Sequence, residues 1–189
     1  MDVKTFFNNL APVWDSREPC TTHQLRPFVE LSGAKCGDKV LDLGCGTGII
    51  SGILRDMGCD VTAMDISDKM IELAKARYGN NSGIDFVCQD FFNYNGDKFD
   101  CVVIFNAYPH FTDKTAFVNK LHDVLNENGK FAVMHNIGRE TLTKHHQGAE
   151  EISSQLLPVE QEKMFFTDKF NITLAEEDSK HYLIEGVRK

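Results

Sequence analysis

Between residues 40 and 51 a run of apolar residues passes into three alternate glycines and then into more apolar sequence: Val40-Leu41-Asp42-Leu43-Gly44-Cys45-Gly46-Thr47-Gly48-Ile49-Ile50-Ser51. This pattern reads as a buried strand, a turn and the start of a helix. Glycine has no Cβ, so it takes positive φ freely and lets the backbone approach a ligand. The N–H groups of the following helix's first turn point toward whatever lies before them. The spacing is Gly-x-Gly-x-Gly, which differs from the Gly-x-Gly-x-x-Gly of dinucleotide sites. A plain tight turn between strand and helix is the alternative to a nucleotide-like ligand loop. The acidic residue inside the strand end, Asp42, and the next two strands bear on that choice.

Asp60-Val61-Thr62-Ala63-Met64-Asp65-Ile66-Ser67 reads as a second strand that ends in a carboxylate about 20 residues beyond the glycines, the position that faces a ribose in nucleotide-binding α/β units. Alternatively Asp65 opens the next helix, although Ser67 serves equally well as its N-cap. The third strand, Ile84-Asp85-Phe86-Val87-Cys88, runs into Gln89-Asp90-Phe91-Phe92. There Asp90 suits an exocyclic amine and Phe91 the face of a base. Core packing is the competing use of both phenylalanines.

These motifs, in this order and spacing, resemble class I S-adenosylmethionine-dependent methyltransferases of the small-molecule type. The likeness is carried by Leu41 to Gly48, by Val61 to Ser67 with Met70, by Gln89-Asp90-Phe91, and by Leu121 to Phe131. It covers roughly residues 1–137. The resemblance implies S-adenosylmethionine as cofactor, held by Asp42, Gly44, Cys45, Gly46, Gly48, Asp65, Ile66, Met70, Asp90, Phe91 and Asn106. It also implies methyl transfer to a small-molecule acceptor near the loop after strand four.

The remaining pattern alternates short apolar strands (39–43, 60–64, 84–88, 99–105, 129–135) with helices (47–58, 67–78, 112–126). Two strands follow near 170–177 and 180–187. Alternation of this kind predicts an α/β fold with a mostly parallel sheet covered on both faces, and the resemblance implies that this is a doubly wound, Rossmann-like sheet of seven strands. The turn around Asp178-Ser179-Lys180 is too short for a parallel crossover, so the last strand is expected to be antiparallel. With 189 residues and no Pro/Gly/Ser-rich linker, one domain is expected over 1–189. Residues 1–35 are expected to cover the cofactor, and 138–168 to form a lid on the acceptor site.

Chemistry is expected where strands four and five end. His110 lies in the loop Asn106-Ala107-Tyr108-Pro109-His110-Phe111 and is the candidate general base, because imidazole titrates near neutrality. Capping the next helix or packing on Phe111 is its bland alternative. That loop departs from the Asn/Asp-Pro-Pro-Tyr/Phe signature of nucleobase and glutamine amide methyltransferases, which argues against those acceptors. His135 is a second proton-handling candidate. Trp14, Tyr108, Arg139, His145 and His146 are candidate acceptor contacts, with Arg139 as a carboxylate clamp and Trp14 alternatively an anchor for its own helix. A metal shared by His110, His135 and His145 or His146 lacks a ligand-spacing motif, and none is expected.

The net charge of −8 opposes a nucleic-acid partner. No apolar run approaches the ~20 residues of a membrane span. Six cysteines without a Cys-x-x-Cys fit reduced thiols, and no secretory signal opens the chain, so a cytoplasmic protein is expected. Two further function classes stay open: an S-adenosylmethionine- or S-adenosylhomocysteine-binding module that regulates a partner, and a dinucleotide oxidoreductase, which the glycine spacing disfavours.

Overall fold

Seven strands share one sheet in the order β3-β2-β1-β4-β5-β7-β6. They are β1 (Lys39–Leu43), β2 (Asp60–Asp65), β3 (Ile84–Cys88), β4 (Phe99–Phe105), β5 (Leu125–His135), β6 (Phe170–Glu177) and β7 (Tyr182–Arg188). The helices are α1 (Val3–Leu10), α2 (Trp14–Arg17), α3 (Thr22–Glu30), α4 (Ile49–Asp56), α5 (Asp68–Tyr78), α6 (Lys114–Val124), α7 (Arg139–His145) and α8 (Val159–Glu162). This computed structural model describes residues 1–17, 21–79, 83–145 and 151–189.

Strands β1 to β5 pair in parallel, and β7 lies antiparallel between β5 and β6. The central strands are apolar because helices cover both faces: Val40, Leu41, Val102, Val103, Ile104, Ala132 and Val133 are all fully buried. The chain leaves β1 toward β2 on one side while β4 flanks β1 on the other. That reversal opens a crevice beyond the carboxyl ends of β1 and β4, where ligands of such sheets bind.

Helix starts follow local side-chain chemistry. The Ser67 hydroxyl accepts from Met70 N–H at 3.1 Å to open α5, and Asp113 accepts from Ala116 N–H at 2.9 Å to open α6. Helix α3 begins with a capping box between Thr21 and Gln24. Helix α4 has no side-chain cap and starts instead from Gly48 at φ +83°.

Two segments differ from the sequence reading by more than two residues or in their role. Strand β5 begins at Leu125, not near residue 129, because Leu125 already pairs with Phe99 before the register shifts ahead of the Cys101–Lys130 pair, with Asn128 at φ +60° between them. The described residues of the 138–168 segment form no lid over the cavity. They are tucked against the sheet, with Ile152, Leu156, Val159 and Glu162 buried, and none of them lines the cavity described below.

Candidate active site

A cavity of about 560 Å³ fills the crevice at the ends of β1 and β4, within the range of small-molecule sites. Its floor is the glycine loop, Asp65 with Ile66, and Asn106 with Ala107. Its roof is the amino-terminal segment, which supplies Val3, Phe7, Trp14, Asp15, Thr22 and Leu25.

The loop after β1 is tied to β2. Gly44 and Cys45 N–H groups both donate to the Met64 carbonyl, at 2.8 and 3.0 Å, and Gly46 N–H donates to Asp65 Oδ2 at 2.9 Å. Ser67 N–H donates to the other Asp65 oxygen at 2.8 Å. These three loop amides are therefore committed to β2 and its end, and the cavity meets a carboxylate beside them. Glycine is required at position 44 on two counts: φ is +75°, and an added Cβ would stand 2.5 Å from the Ala107 Cβ. At Gly46, φ +54°, an added Cβ meets nothing nearer than Trp14 Nε1 at 3.6 Å, so a side chain there would project into the space under the tryptophan.

Four carboxylates line the cavity (Asp15, Asp42, Asp65 and Asp90) against one cation, Arg77, among the described residues. Burial pushes the Asp42 carboxyl up to about 7, opposed by a 2.5 Å hydrogen bond from the Ser51 hydroxyl, and burial also raises Asp65. Burial holds the Cys45 thiol well above its ordinary value, so it is inert as a nucleophile. Asp15 ion-pairs with Arg77 and accepts from the Thr47 hydroxyl at 2.7 Å, while Arg77 donates to the Thr47 carbonyl at 3.0 Å. This three-residue latch holds the roof on the glycine loop. A second one joins α1 to α5, where Asn8 accepts from the Ser67 hydroxyl at 2.6 Å and donates to Asp68 at 3.1 Å.

The other end of the cavity is aromatic. Phe7 meets the His110 ring edge to face, with centroids 4.8 Å apart, and meets Trp14 at 5.8 Å. Phe91, Phe92 and Phe111 continue the wall. His110 Nδ1 lies 3.0 Å from the Ile152 carbonyl. A carbonyl oxygen only accepts, so Nδ1 carries the proton in the neutral ring and Nε2 the lone pair. Asn106, held at φ +52°, donates from Nδ2 to Asn136 Oδ1 at 2.8 Å, which ties the ends of β4 and β5 together.

Of the residues read from sequence, the structure gathers Asp42, Gly44, Cys45, Gly46, Asp65, Ile66, Met70, Asp90, Phe91, Asn106, Trp14 and His110 around this one cavity. Six predicted residues are corrected or fall elsewhere. Gly48 does not line the cavity, since its missing Cβ makes room for Tyr78 and Phe86, 3.1 and 3.2 Å from where that atom would stand. His135 is wholly buried, its ring 6.1 Å from that of Tyr182 on β7, and does not line the cavity, so it is not placed to handle the acceptor's proton. Tyr108 is turned into the core, with its hydroxyl on Glu162. Arg139 is paired with Glu177 at 2.9 Å, off the cavity, and is no carboxylate clamp. His145 ends α7 on the same off-cavity segment, and its side chain, like all of His146, lies outside the described residues.

Sequence reasoning missed Phe7, Asp15, Thr47, Arg77, Phe111 and Asn136. Only Phe7 carried a local signal, since it follows Val3 by four residues on one helix face and both line the cavity.

Three comparisons place this geometry among known proteins. The profile of a family described as a methyltransferase domain matches residues 41–133. Malonyl-[acyl-carrier protein] O-methyltransferase 1 of Ilyobacter polytropus is 31% identical over 136 residues, covering 69% of this chain and 50% of that protein. A ubiquinone biosynthesis O-methyltransferase of Thiobacillus denitrificans is 24% identical over 180 residues, covering 84% and 78%. The chain thus spans about half the length of the first of these relatives. Among solved structures, the complex of the Haloferax volcanii Trm112 methyltransferase activator with a methyltransferase matches with a TM-score of 0.79 at 19% identity, over 96% of this chain and 97% of that one. Magnesium protoporphyrin IX methyltransferase of Synechocystis, solved with bound S-adenosylmethionine, matches with a TM-score of 0.65 at 20% identity, over 89% and 78%.

Proposed function

We propose that this chain, a class I S-adenosylmethionine-dependent methyltransferase by sequence and fold, transfers the cofactor's methyl group to an uncharged small molecule, with His110 accepting the acceptor's proton. The observation that carries this reading is that an acidic end and an aromatic end meet in one cavity at the Asn106–Phe111 loop.

The residues present fit the cofactor. A loop that turns its amides toward β2 and presents Asp65 and Asp42 to the cavity is suited to a ligand bearing positive charge and ribose hydroxyls, and unsuited to a diphosphate. Gly46 leaves room under Trp14 that a side chain would occupy. When bound, S-adenosylmethionine supplies a methyl group already activated by its sulfonium.

The chain's own task is then alignment and proton removal. Asp65 is assigned to the ribose hydroxyls, Asp90 to the base amine, and Met70, Ile66 and Phe91 to the apolar faces of the adenosyl group. Phe7, Trp14, Phe92 and Phe111 enclose the acceptor, exclude water and hold its nucleophilic atom in line with the carbon–sulfur bond. Such alignment contributes roughly 7–11 kcal/mol in favourable cases. With S-adenosylmethionine bound, the cofactor would supply the methyl group and keep the sulfur electron pair as a neutral thioether, while His110 Nε2 would take the acceptor's O–H, S–H or N–H proton. The aromatic wall and the neighbouring Asp15, which already occupies Arg77, favour a neutral acceptor over a carboxylate.

Calorimetry with S-adenosylhomocysteine, followed by a panel of phenols, thiols, amines and carboxylates scored by S-adenosylhomocysteine release, tests this reading. The expected result is binding of the adenosyl compound, no binding of NAD, and turnover of a phenol, thiol or amine. His110→Ala is expected to slow that turnover by about 10²- to 10⁴-fold while S-adenosylhomocysteine affinity stays within twofold. Equal losses in both quantities would remove His110 from the chemistry.

A further inference from the structure

Behind the Tyr108–His110 turn lies a carboxylate that methyl transfer does not use. Glu162 is 1% exposed, and a carboxylate buried this deeply needs partners for its oxygens as well as the through-space attraction of the buried Lys114 ammonium. Both of its oxygens are engaged. Oε1 accepts from the Tyr108 hydroxyl at 2.9 Å and Oε2 accepts from Leu157 N–H at 2.8 Å.

Those two donors belong to segments that meet again at the active-site turn. Ser154 donates to the Pro109 carbonyl from its N–H at 2.8 Å and from its hydroxyl at 3.2 Å, and the Ile152 carbonyl accepts from His110 Nδ1 at 3.0 Å. Residues 152–157 therefore grip three successive residues, 108, 109 and 110, with Glu162 as the buckle. The rest of Tyr108 is clamped as well: Lys114 Nζ sits 3.6 Å from its ring centroid and donates to its carbonyl at 3.1 Å. From the sheet side, the Tyr182 hydroxyl donates to the Leu157 carbonyl at 3.1 Å.

We propose that Glu162 is a positioning residue: it locks the 152–157 strap to Tyr108 and so fixes the ring orientation and the Nδ1–H tautomer of His110. The consequence for turnover rests on the methyl-transfer reading above, but the effect on the His110 ring does not. The choice of side chain follows from the two donors. One O–H and one N–H converge on a dry site, and a carboxylate offers two acceptors and no donor. An apolar residue would strand both donors, whereas glutamine can accept from Leu157 and donate to the lone pair of the Tyr108 hydroxyl.

The experiment compares the unaltered 189-residue chain with Glu162→Met, Tyr108→Phe and Glu162→Gln, reading the His110 ring nitrogens by NMR and S-adenosylhomocysteine affinity by calorimetry. Wild type and Glu162→Gln are expected to show one Nδ1-protonated tautomer. Glu162→Met and Tyr108→Phe are expected to show a mixture, with at least tenfold slower turnover of the best phenol, thiol or amine probe and affinity within twofold. A single unchanged tautomer in Tyr108→Phe overturns the proposal, and that variant decides alone if Glu162→Met does not fold. Loss of affinity in step with turnover also overturns it, because the residue would then hold up the fold as a whole. If the wild type binds no adenosyl compound, the methyl-transfer reading fails while the tautomer comparison still judges Glu162.

Discussion

The acidic end of the cavity takes Asp42, Cys45, Gly46, Asp65 and Met70 from residues 42–70, one strand-helix-strand-helix unit. The aromatic end takes Phe7 and Trp14 from the amino terminus, His110 and Phe111 from the loop after β4, and Asn136 from the end of β5. A strap from residues 152–162 supports that end from behind. Backbone geometry dominates the first: a positive-φ glycine against Ala107, and loop amides closed onto Met64 and Asp65. Side chains reaching across the chain dominate the second. A scaffold built this way can hold one cofactor site constant while the acceptor site changes with its distant contributors.

The comparison is broken most directly at Asp65. Its carboxylate holds Gly46 and Ser67 N–H groups and is assigned the ribose hydroxyls, and hydrogen bonds to charged groups contribute about 1.5–3 kcal/mol each. Asp65→Ala is expected to weaken S-adenosylhomocysteine binding by about 100-fold or more, whereas His110→Ala leaves it intact. A loss under threefold, measured by calorimetry, would show that the two ends do not divide the work in this way.

The same division explains what could be read before the structure. The sheet was legible because each strand is a short apolar run bounded by turn residues, and the β1-to-β3 motifs keep ligand contacts within a few residues of strand ends. Even there, Gly48 was misread, since the same glycine chemistry that opens a ligand loop also admits Tyr78 and Phe86. Tyr108 and Arg139 were misread because polarity in a loop does not say which way a side chain turns. Both found partners inside the fold, Glu162 and Glu177, more than 35 residues away in sequence. His135 was drawn inward by its place on β5, opposite Tyr182. No local pattern announces the Asp15–Arg77–Thr47 latch, because its three members come from three separate elements.

Proton linkage sharpens the contrast. The native Asp42 carboxyl, raised to about 7 by burial and by neighbouring Asp65, binds its proton more tightly than the unfolded chain does, where the ordinary value is 3.8. The native state's advantage is therefore fully present below pH ~4, declines as pH rises to ~7, and is level above. Affinity for the cationic S-adenosylmethionine follows the opposite course, because ionisation of Asp42 and of Asp65, also raised, adds negative charge to the cavity. Between pH 5.5 and 8 it is expected to rise by about five- to tenfold. Asp42→Asn is expected to shrink that rise and to leave stability flatter with pH, checked by calorimetry and by melting temperature across the range. An unchanged slope in Asp42→Asn would assign the linkage elsewhere.

The smallest effect belongs to the latch that joins the roof to the glycine loop. Asp15 and Arg77 have side chains 54% and 34% exposed, so water and salt screen their attraction, and such pairs contribute ~0.2–1 kcal/mol. Asp15 also accepts from the Thr47 hydroxyl, so Asp15→Asn removes the charge and leaves one amide oxygen as the acceptor for two donors, at unchanged side-chain size. The expected outcome is a two- to fivefold faster release of S-adenosylhomocysteine at low salt, shrinking toward wild type near 1 M salt as the Debye length falls to ~3 Å. Release measured by stopped flow that is unaltered at both salt levels would mean the roof is held by Phe7, Trp14 and the Asn8 contacts alone. The acidic end would then owe nothing to the amino-terminal segment beyond its aromatic cover.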